Sequence, residues 1–337
     1  MTTTADLEKF GEDLDAAGGV DKAVAGKSPS RIALQRLRHD KVAVVSAAVV
    51  GLLLLLGLFA PLITGAWGIY YDINQPGAPR GSEVLSFDGF PATGPPYYGF
   101  TWEHPLGLAP GTGNDNLARL LYGLRTSVGV AAGATILSTL IGVSIGLVAG
   151  FARGWLDRII SFVIDLFLSF PFILGALALA PIITSRFSTD LDALARAQVI
   201  ALISVLVIFG WMGLARLIRG QVLSLREREF VQAAQVMGLP TRRILFKELL
   251  PNLVAPIVVA TSLSLPAYVA AEAGLSYLGI GLTGVPSLGQ TINQATTYYD
   301  EYSLFLWAPV VTVMVLVLAL NLLGDSIRDA FDPKTRR

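Results

Sequence analysis

The chain is 337 residues long, 53% hydrophobic and only 15% charged, with a mean hydropathy of +0.61. A soluble domain carries roughly 25% charged residues, so this composition excludes an ordinary soluble enzyme, and 25 Lys and Arg against 25 Asp and Glu leave no basic bias toward nucleic acid. Cysteine is absent, which excludes disulfides, cysteine metal sites and a thiol nucleophile, and two histidines, His39 and His104, are too few for a histidine metal or acid–base site.

Residues 1–30 are polar, rich in Ala, Gly and Asp, and lack an apolar period, so disorder or a short frayed helix is expected there. Within them, Asp21-Lys22-Ala23-Val24-Ala25-Gly26-Lys27-Ser28 looks like a phosphate-binding loop but has Asp where that loop needs its first Gly, and no strand precedes it. Nucleotide is therefore not expected on this chain. Residues 31–41 read as a short basic amphipathic helix lying on the inner leaflet.

Six apolar stretches follow, at 42–63, 128–151, 159–184, 198–218, 253–271 and 304–323, each close to the ~20 residues that cross a bilayer as a helix. The predicted fold class is an all-α polytopic membrane protein with six transmembrane helices. The first stretch begins 41 residues in without a small-residue cleavage site behind it, and reads as a retained helix rather than a signal peptide. With the N-terminus inside, 20 Lys and Arg fall on the inner side and five on the outer side. By the positive-inside rule both termini are cytoplasmic in the cell (inner or plasma) membrane. The organisation is then a cytoplasmic tail (1–41), a first transmembrane helix (42–63), an extracytoplasmic loop (64–127), a five-helix core (128–324) holding a long cytoplasmic loop (219–251), and a cytoplasmic tail (325–337).

Residues 64–116 hold seven prolines, ten glycines and nine aromatics. A disordered linker is poor in aromatics, so this region is expected to fold, with short strands around 83–90, or to pack on a partner. Tyr97, Tyr98 and Trp102 are candidates to contact an extracytoplasmic protein or to cover a pathway; a loop that merely caps the protein's own helices is the plainer reading. In the second stretch Gly142, Gly146 and Gly150 recur every four residues, a small stripe that lets another helix come close. In the third, Asp165 must face protein or water rather than lipid, and Pro171 is expected to kink the helix.

The loop 219–251 is polar, helical in propensity and long for a connector. Phe230, Ala233, Ala234 and Met237 fall at i, i+3, i+4 and i+7, one stripe of an amphipathic helix, followed by Gly238 as a cap and Pro240 as a stop. The stripe is small and Ala-rich, which suits a protein groove better than a lipid surface.

Gln232-Ala233-Ala234, then Gly238, then Leu250-Pro251 resembles the EAA loop of ABC importer permeases, with Gln232 in place of the motif's Glu and Glu248 in place of its Ile. Gln232 keeps the length of Glu and loses its charge. His104-Pro105-Leu106-Gly107, Arg119-Leu120-Leu121-Tyr122-Gly123, Phe170-Pro171-Phe172, Glu272-Ala273-Gly274-Leu275-Ser276-Tyr277-Leu278-Gly279 and the ending 321–333 are similar to the C-type permease of the oligopeptide/dipeptide branch. Residues 108–116 depart from that branch's usual segment, and 64–103 are longer than expected.

The resemblance implies the type I importer permease fold and a non-enzymatic transport subunit. Its partners would be a second permease subunit, two ATPase subunits that bind ATP and Mg, and an extracytoplasmic peptide-binding protein. This chain would hold no cofactor. It also implies that the helix at 229–237 couples to an ATPase through Glu229, Phe230, Gln232, Ala233, Ala234, Met237 and Gly238. A peptide path needs polar groups, and Asp165, Glu272, Gln290 and Asn293 are the candidates. Hydrogen bonding between helices is the plainer reading for Asp165, and subunit packing for Glu272. Other cargoes of the same class are glutathione and nickel chelates. A stand-alone secondary carrier would show inverted repeats, and a membrane enzyme a paired catalytic constellation; neither is visible.

Overall fold

The structure, a computed structural model, describes residues 29–79, 81–95, 97–185, 191–282 and 285–332. The phosphate-loop look-alike at 21–28, the tail residues 1–28 and residues 333–337 lie outside them. Regular structure among the described residues is helical, and the strands expected around 83–90 do not form. A single helical turn at Gly81–Val84 and an isolated bridge between Leu85 and Pro91 stand in their place. Glycines and prolines every few residues interrupt any longer ladder.

The first apolar stretch is helix α2 (Lys41–Leu58) continued after a break at Phe59 by α3 (Ala60–Trp67). Asp40 starts α2 by accepting the Val42 N–H at 2.9 Å, and Gly68, in the left-handed conformation, ends α3. Ahead of them, α1 (Pro29–His39) is the expected basic helix. It does not only lie free on a surface: Ala33 is buried, and the Arg36 guanidinium donates to the carbonyls of Ala330 and Asp332 at 3.3 Å each, where helices leave carbonyls unpaired.

Helix α4 (Asn116–Phe151) is the axis of the fold, 36 residues capped by Asp115, which accepts the Ala118 N–H at 2.8 Å. At ~1.5 Å per residue it is about 54 Å long, well beyond the ~30 Å of a hydrocarbon core. Its first turns therefore project outward from the apolar stretch that begins at 128. The small stripe does what its spacing predicts. A Cβ at Gly142, Gly146 or Gly150 would meet the carbonyl oxygens of Trp211, Ala215 and Arg219 at 2.8, 2.7 and 2.8 Å, so helix α8 (Trp211–Leu225) lies directly against it.

The third stretch is not one kinked helix but two, α5 (Trp155–Leu168) and α6 (Phe172–Thr184), set at 84° to each other. Pro171 has no N–H to offer, and the residue before a proline is pushed out of the helical region, so the chain turns at Ser169–Pro171 rather than bending through it. Helix α7 (Leu191–Ile208) leads into α8 with a break at Phe209 and Gly210. After a connecting helix, α9 (Glu229–Val236), come α10 (Leu250–Tyr277), a short helix α11 (Leu288–Ala295) and α12 (Ser303–Phe331). Five described helical runs are long and apolar enough to cross a membrane, and six if the bent pair counts as one.

The three largest buried clusters among the described residues hold this together. One joins α4 to α6, α7 and α10 around Leu202, Leu206 and Leu275; a second joins α4 to α2, α10 and α12 around Leu124, Val269 and Leu316. The third lies at the end where α8 and α9 meet, around Ile218, Val222, Val231, Ala234 and Leu253.

Candidate functional site

The connecting loop forms the helix that its pattern predicts. α9 is followed by Gly238 at φ +74°, with the Leu239 N–H bonded to the Ala234 carbonyl at 3.1 Å, a left-handed helix ending. The predicted stripe divides in two. Val231 and Ala234 are buried in the protein's own third cluster, whereas Phe230, Ala233 and Met237 face outward with Val236. Ala234 therefore anchors the helix, and the outward apolar surface is built from i, i+3 and i+7 plus Val236, which is 88% exposed. Phe230 and Met237 are likewise exposed apolar side chains, and together the three leave a contiguous surface unpartnered within the chain.

Gln232 has a local use. Its amide Nε2 donates to the Glu227 carbonyl at 3.2 Å, at the turn that opens α9. A carboxylate in its place has no hydrogen to give. Glu229 sits in the first helical turn, where a negative charge complements the unpaired N–H groups.

Arginines fix the base of this loop. Arg219 grips Asp157 of α5 with both prongs, Nε to Oδ1 at 2.7 Å and Nη2 to Oδ2 at 3.0 Å. Arg226 Nη1 donates to the carbonyls of Gly150 and Ala152 at 3.1 and 3.4 Å, closing the end of α4. Position 232, with its two alanines, is thus held on a frame of arginine contacts that a count of positive charges does not reveal.

The polar path candidates do not meet. Asp165, at the end of α5, accepts from Arg216 of α8, and both side chains are more than half exposed. Glu272 is fully buried on α10; one carboxylate oxygen accepts from the Ser276 hydroxyl at 2.7 Å, and Oε2 has no partner among the described residues. Asn293 is exposed and donates to the Tyr277 carbonyl at 2.8 Å, closing the end of α10. Gln290, half-buried on α11, lines a polar hollow at the N-terminal end of α4.

That end of α4 is ordered by long-range bonds. His104 Nδ1 pairs with Asp115 Oδ2 at 2.8 Å, the Trp67 indole donates to the Trp102 carbonyl at 2.9 Å, and the Asp115 N–H bonds the Tyr70 carbonyl at 3.0 Å. Gly107 of the His-Pro-Leu-Gly motif stands at φ +66°, and a Cβ there would meet the Pro95 carbonyl oxygen at 2.1 Å. The Tyr302 hydroxyl donates to the Leu106 carbonyl, and burial pushes its pKa up to about 12. Tyr97 reaches Glu301 at 3.2 Å, while Tyr98 and Trp102 remain exposed.

With this geometry in place, comparison with known proteins is specific. Residues 142–337 match the family described as the binding-protein-dependent transport system inner membrane component, and residues 28–77 match the N-terminal TM domain of oligopeptide transport permease C. The chain is 32% identical over 310 residues to the dipeptide transport system permease protein DppC of Alkalihalophilus pseudofirmus, covering 92% of this chain and 91% of that one. It is 30% identical to the oligopeptide transport system permease protein OppC of Bacillus subtilis, covering 95% of each. Among solved structures, inward-facing forms of the MetNI methionine ABC transporter include a chain that aligns at a TM-score of 0.51 and 21% identity, over 64% of this chain and 96% of that one. A likeness at that identity speaks for the fold alone.

Proposed function

The chain belongs to the binding-protein-dependent transport system inner membrane component family, and from that premise we propose that it is the C-type permease of an ATP-driven peptide importer, forming half of the path with a second permease. It is a multi-pass membrane protein. Both termini lie in the cytoplasm in this reading, two ATPase subunits bind ATP and Mg below it, and a peptide-binding protein docks above.

The observation that carries the reading is α9. It is anchored inward by Val231 and Ala234, presents Phe230, Ala233, Val236 and Met237 outward, and is bounded by Gly238 and Pro240. A short helix held on a rigid frame transmits a push from an ATPase groove as a discrete displacement rather than by bending. Asp165 with Arg216 is a path candidate beside Gln290, because charges so exposed at membrane depth are tolerated only against protein or water.

The test is recovery and transport. The tagged chain, purified from membranes, is expected to bring down a second permease and two ATPases. In proteoliposomes with the binding protein it is expected to take up a dipeptide only with ATP inside the compartment that faces α9. Uptake by this chain alone, without ATP, would overturn the proposal.

A further inference from the structure

The hollow beside Arg119 contains a buried charge that no carboxylate contacts directly among the described residues. Arg119, near the start of α4, is 5% exposed. Its Nη2 donates to the neutral Gln294 oxygen, its Nε is buried with no partner, and it makes no ion pair among the described residues. A guanidinium taken out of water costs stability unless an anion answers it, and an unmatched buried donor asks for an explanation. Two of the acceptors lining the hollow are engaged elsewhere: Asn114 Oδ1 takes the Ile73 N–H at 3.0 Å, and Asp72 Oδ1 takes the Asn74 N–H and amide at 2.9 and 2.8 Å. Asp72 acts on Arg119 through space only.

The hollow holds about 160 Å³ and is lined by Tyr71, Asp72, Thr112, Gln290 and Gln294, with Val285 and Pro286 as its apolar wall. That is room for about five waters at ~30 Å³ each, or for one amino-acid-sized group. Gln294 spends its oxygen on Arg119, so its amide NH2 remains a donor beside the guanidinium. A planar cation with unused prongs, an adjacent amide donor and an apolar wall suit a carboxylate carrying a short side chain better than a bare ion.

We propose that this hollow is a carboxylate-binding site at the outer mouth of the permease, which takes the terminal carboxylate of the cargo peptide. The identity of the carboxylate rests on the peptide-importer reading; its chemistry does not. Asp72 is the opposing charge that keeps the grip loose enough for release.

The experiment uses the assembled transporter in nanodiscs, without binding protein, held outward-open with ATP and vanadate. Equilibrium binding of radiolabelled dialanine is measured, with unlabelled dialanine and dialanine amide as competitors. Saturable binding is expected, displaced by dialanine and not by the amide. Losing a charge-assisted bond should make Arg119→Gln bind about tenfold or more weakly, with Arg119→Lys intermediate and Asp72→Asn tighter than the parent. No saturable binding to the parent, equal binding by Arg119→Gln, or equal displacement by the amide overturns the site. So does a loss of binding in Asp72→Asn, which would make the two residues a water-bridged structural pair. Recovery of the complex and its basal ATP hydrolysis report on folding. Where Arg119→Gln lowers recovery, Arg119→Lys and Asp72→Asn, which both keep a cation in place, decide the matter. ATP-driven uptake of dialanine with the binding protein is scored separately. Uptake without Arg119-dependent binding sinks the site alone, and Arg119-dependent binding without uptake sinks the cargo reading alone.

Discussion

The connecting loop around α9 and the region between α3 and α4 both turn on glycines with positive φ, yet those glycines do different work. Gly238, at φ +74°, has open space where a Cβ would stand, while Gly107, at φ +66°, has the Pro95 carbonyl at 2.1 Å and the Tyr302 hydroxyl beside it. The first ends a helix and sets the direction of the chain. The second lets three distant segments close on one another. A local device and a tertiary one thus share one sequence signature, and substitution separates them.

The largest effect is expected at Gly107. Gly107→Ala adds the left-handed penalty of about 1–2 kcal/mol to overpacking of about 1–3 kcal/mol, because the neighbour is backbone and cannot rotate away. Thermal unfolding of the purified complex should fall, and protease added outside should cut within 68–115. A variant as stable and as resistant as the parent would show that the outer region is not closed at this point.

Next come the two alanines of α9, adjacent in sequence and opposite in surroundings. Ala234→Asp buries an unpaired charge in the cluster with Ile218 and Leu253, at a cost on the order of several kcal/mol, and should lower the amount of folded chain in the membrane. Ala233→Asp points outward and should leave that amount unchanged while abolishing ATPase recovery or substrate-stimulated hydrolysis. Gln235→Asp, also exposed, serves as the control. Equal behaviour of all three would dissolve the division of the stripe.

Gly238→Val tests the local device by itself. With no neighbour within 4 Å, its cost is the backbone's alone, about 1–2 kcal/mol. The chain should still insert, with transport reduced more than stability. Gly238→Asn should be milder, since Asn visits the left-handed region. Similar losses for Val at 238 and at 107 would erase the contrast between the two glycines.

What the sequence made legible follows the same division. The helix at 229–237, its glycine end and the small stripe of α4 rest on spacing and punctuation within a dozen residues, and each appears where the pattern put it. The inward turn of Ala234 was not legible, because a 3.6-residue period marks a stripe without saying which part of it the rest of the fold covers. In the outer region the composition announced order, but its content, such as Trp67 with Trp102 or Tyr97 with Glu301, joins residues 35 and 204 apart. Pro171 was legible as a disturbance, and only the packing of α5 and α6 set its angle at 84°. Of the path candidates, Glu272 and Asn293 each hold a bond on α10, to the Ser276 hydroxyl and the Tyr277 carbonyl, since polarity in an apolar stretch marks a group that needs a partner, whether that partner is a substrate or a neighbouring group of the chain.

The smallest stability effect is expected for Asp165 and Arg216, and it sharpens the comparison at membrane depth. Each is more than half exposed although Asp165 lies within an apolar stretch. If the pair looks on water in the path, it is worth about 0–1 kcal/mol, so Asp165→Asn and Arg216→Gln should each unfold within a few degrees of the parent. Transport should nonetheless fall in both, because each leaves its partner as an isolated charge at the path wall. The exchanged pair, Asp165→Arg with Arg216→Asp, restores opposite charges at the same two helices and should recover much of the lost uptake. If instead the pair is sealed against the second permease, removing one member strands a buried charge and costs about 3–5 kcal/mol. Unfolding of the assembled complex would then drop sharply for both single variants, and the two polar ends of this protein would be joined by a structural bolt rather than by a wetted path.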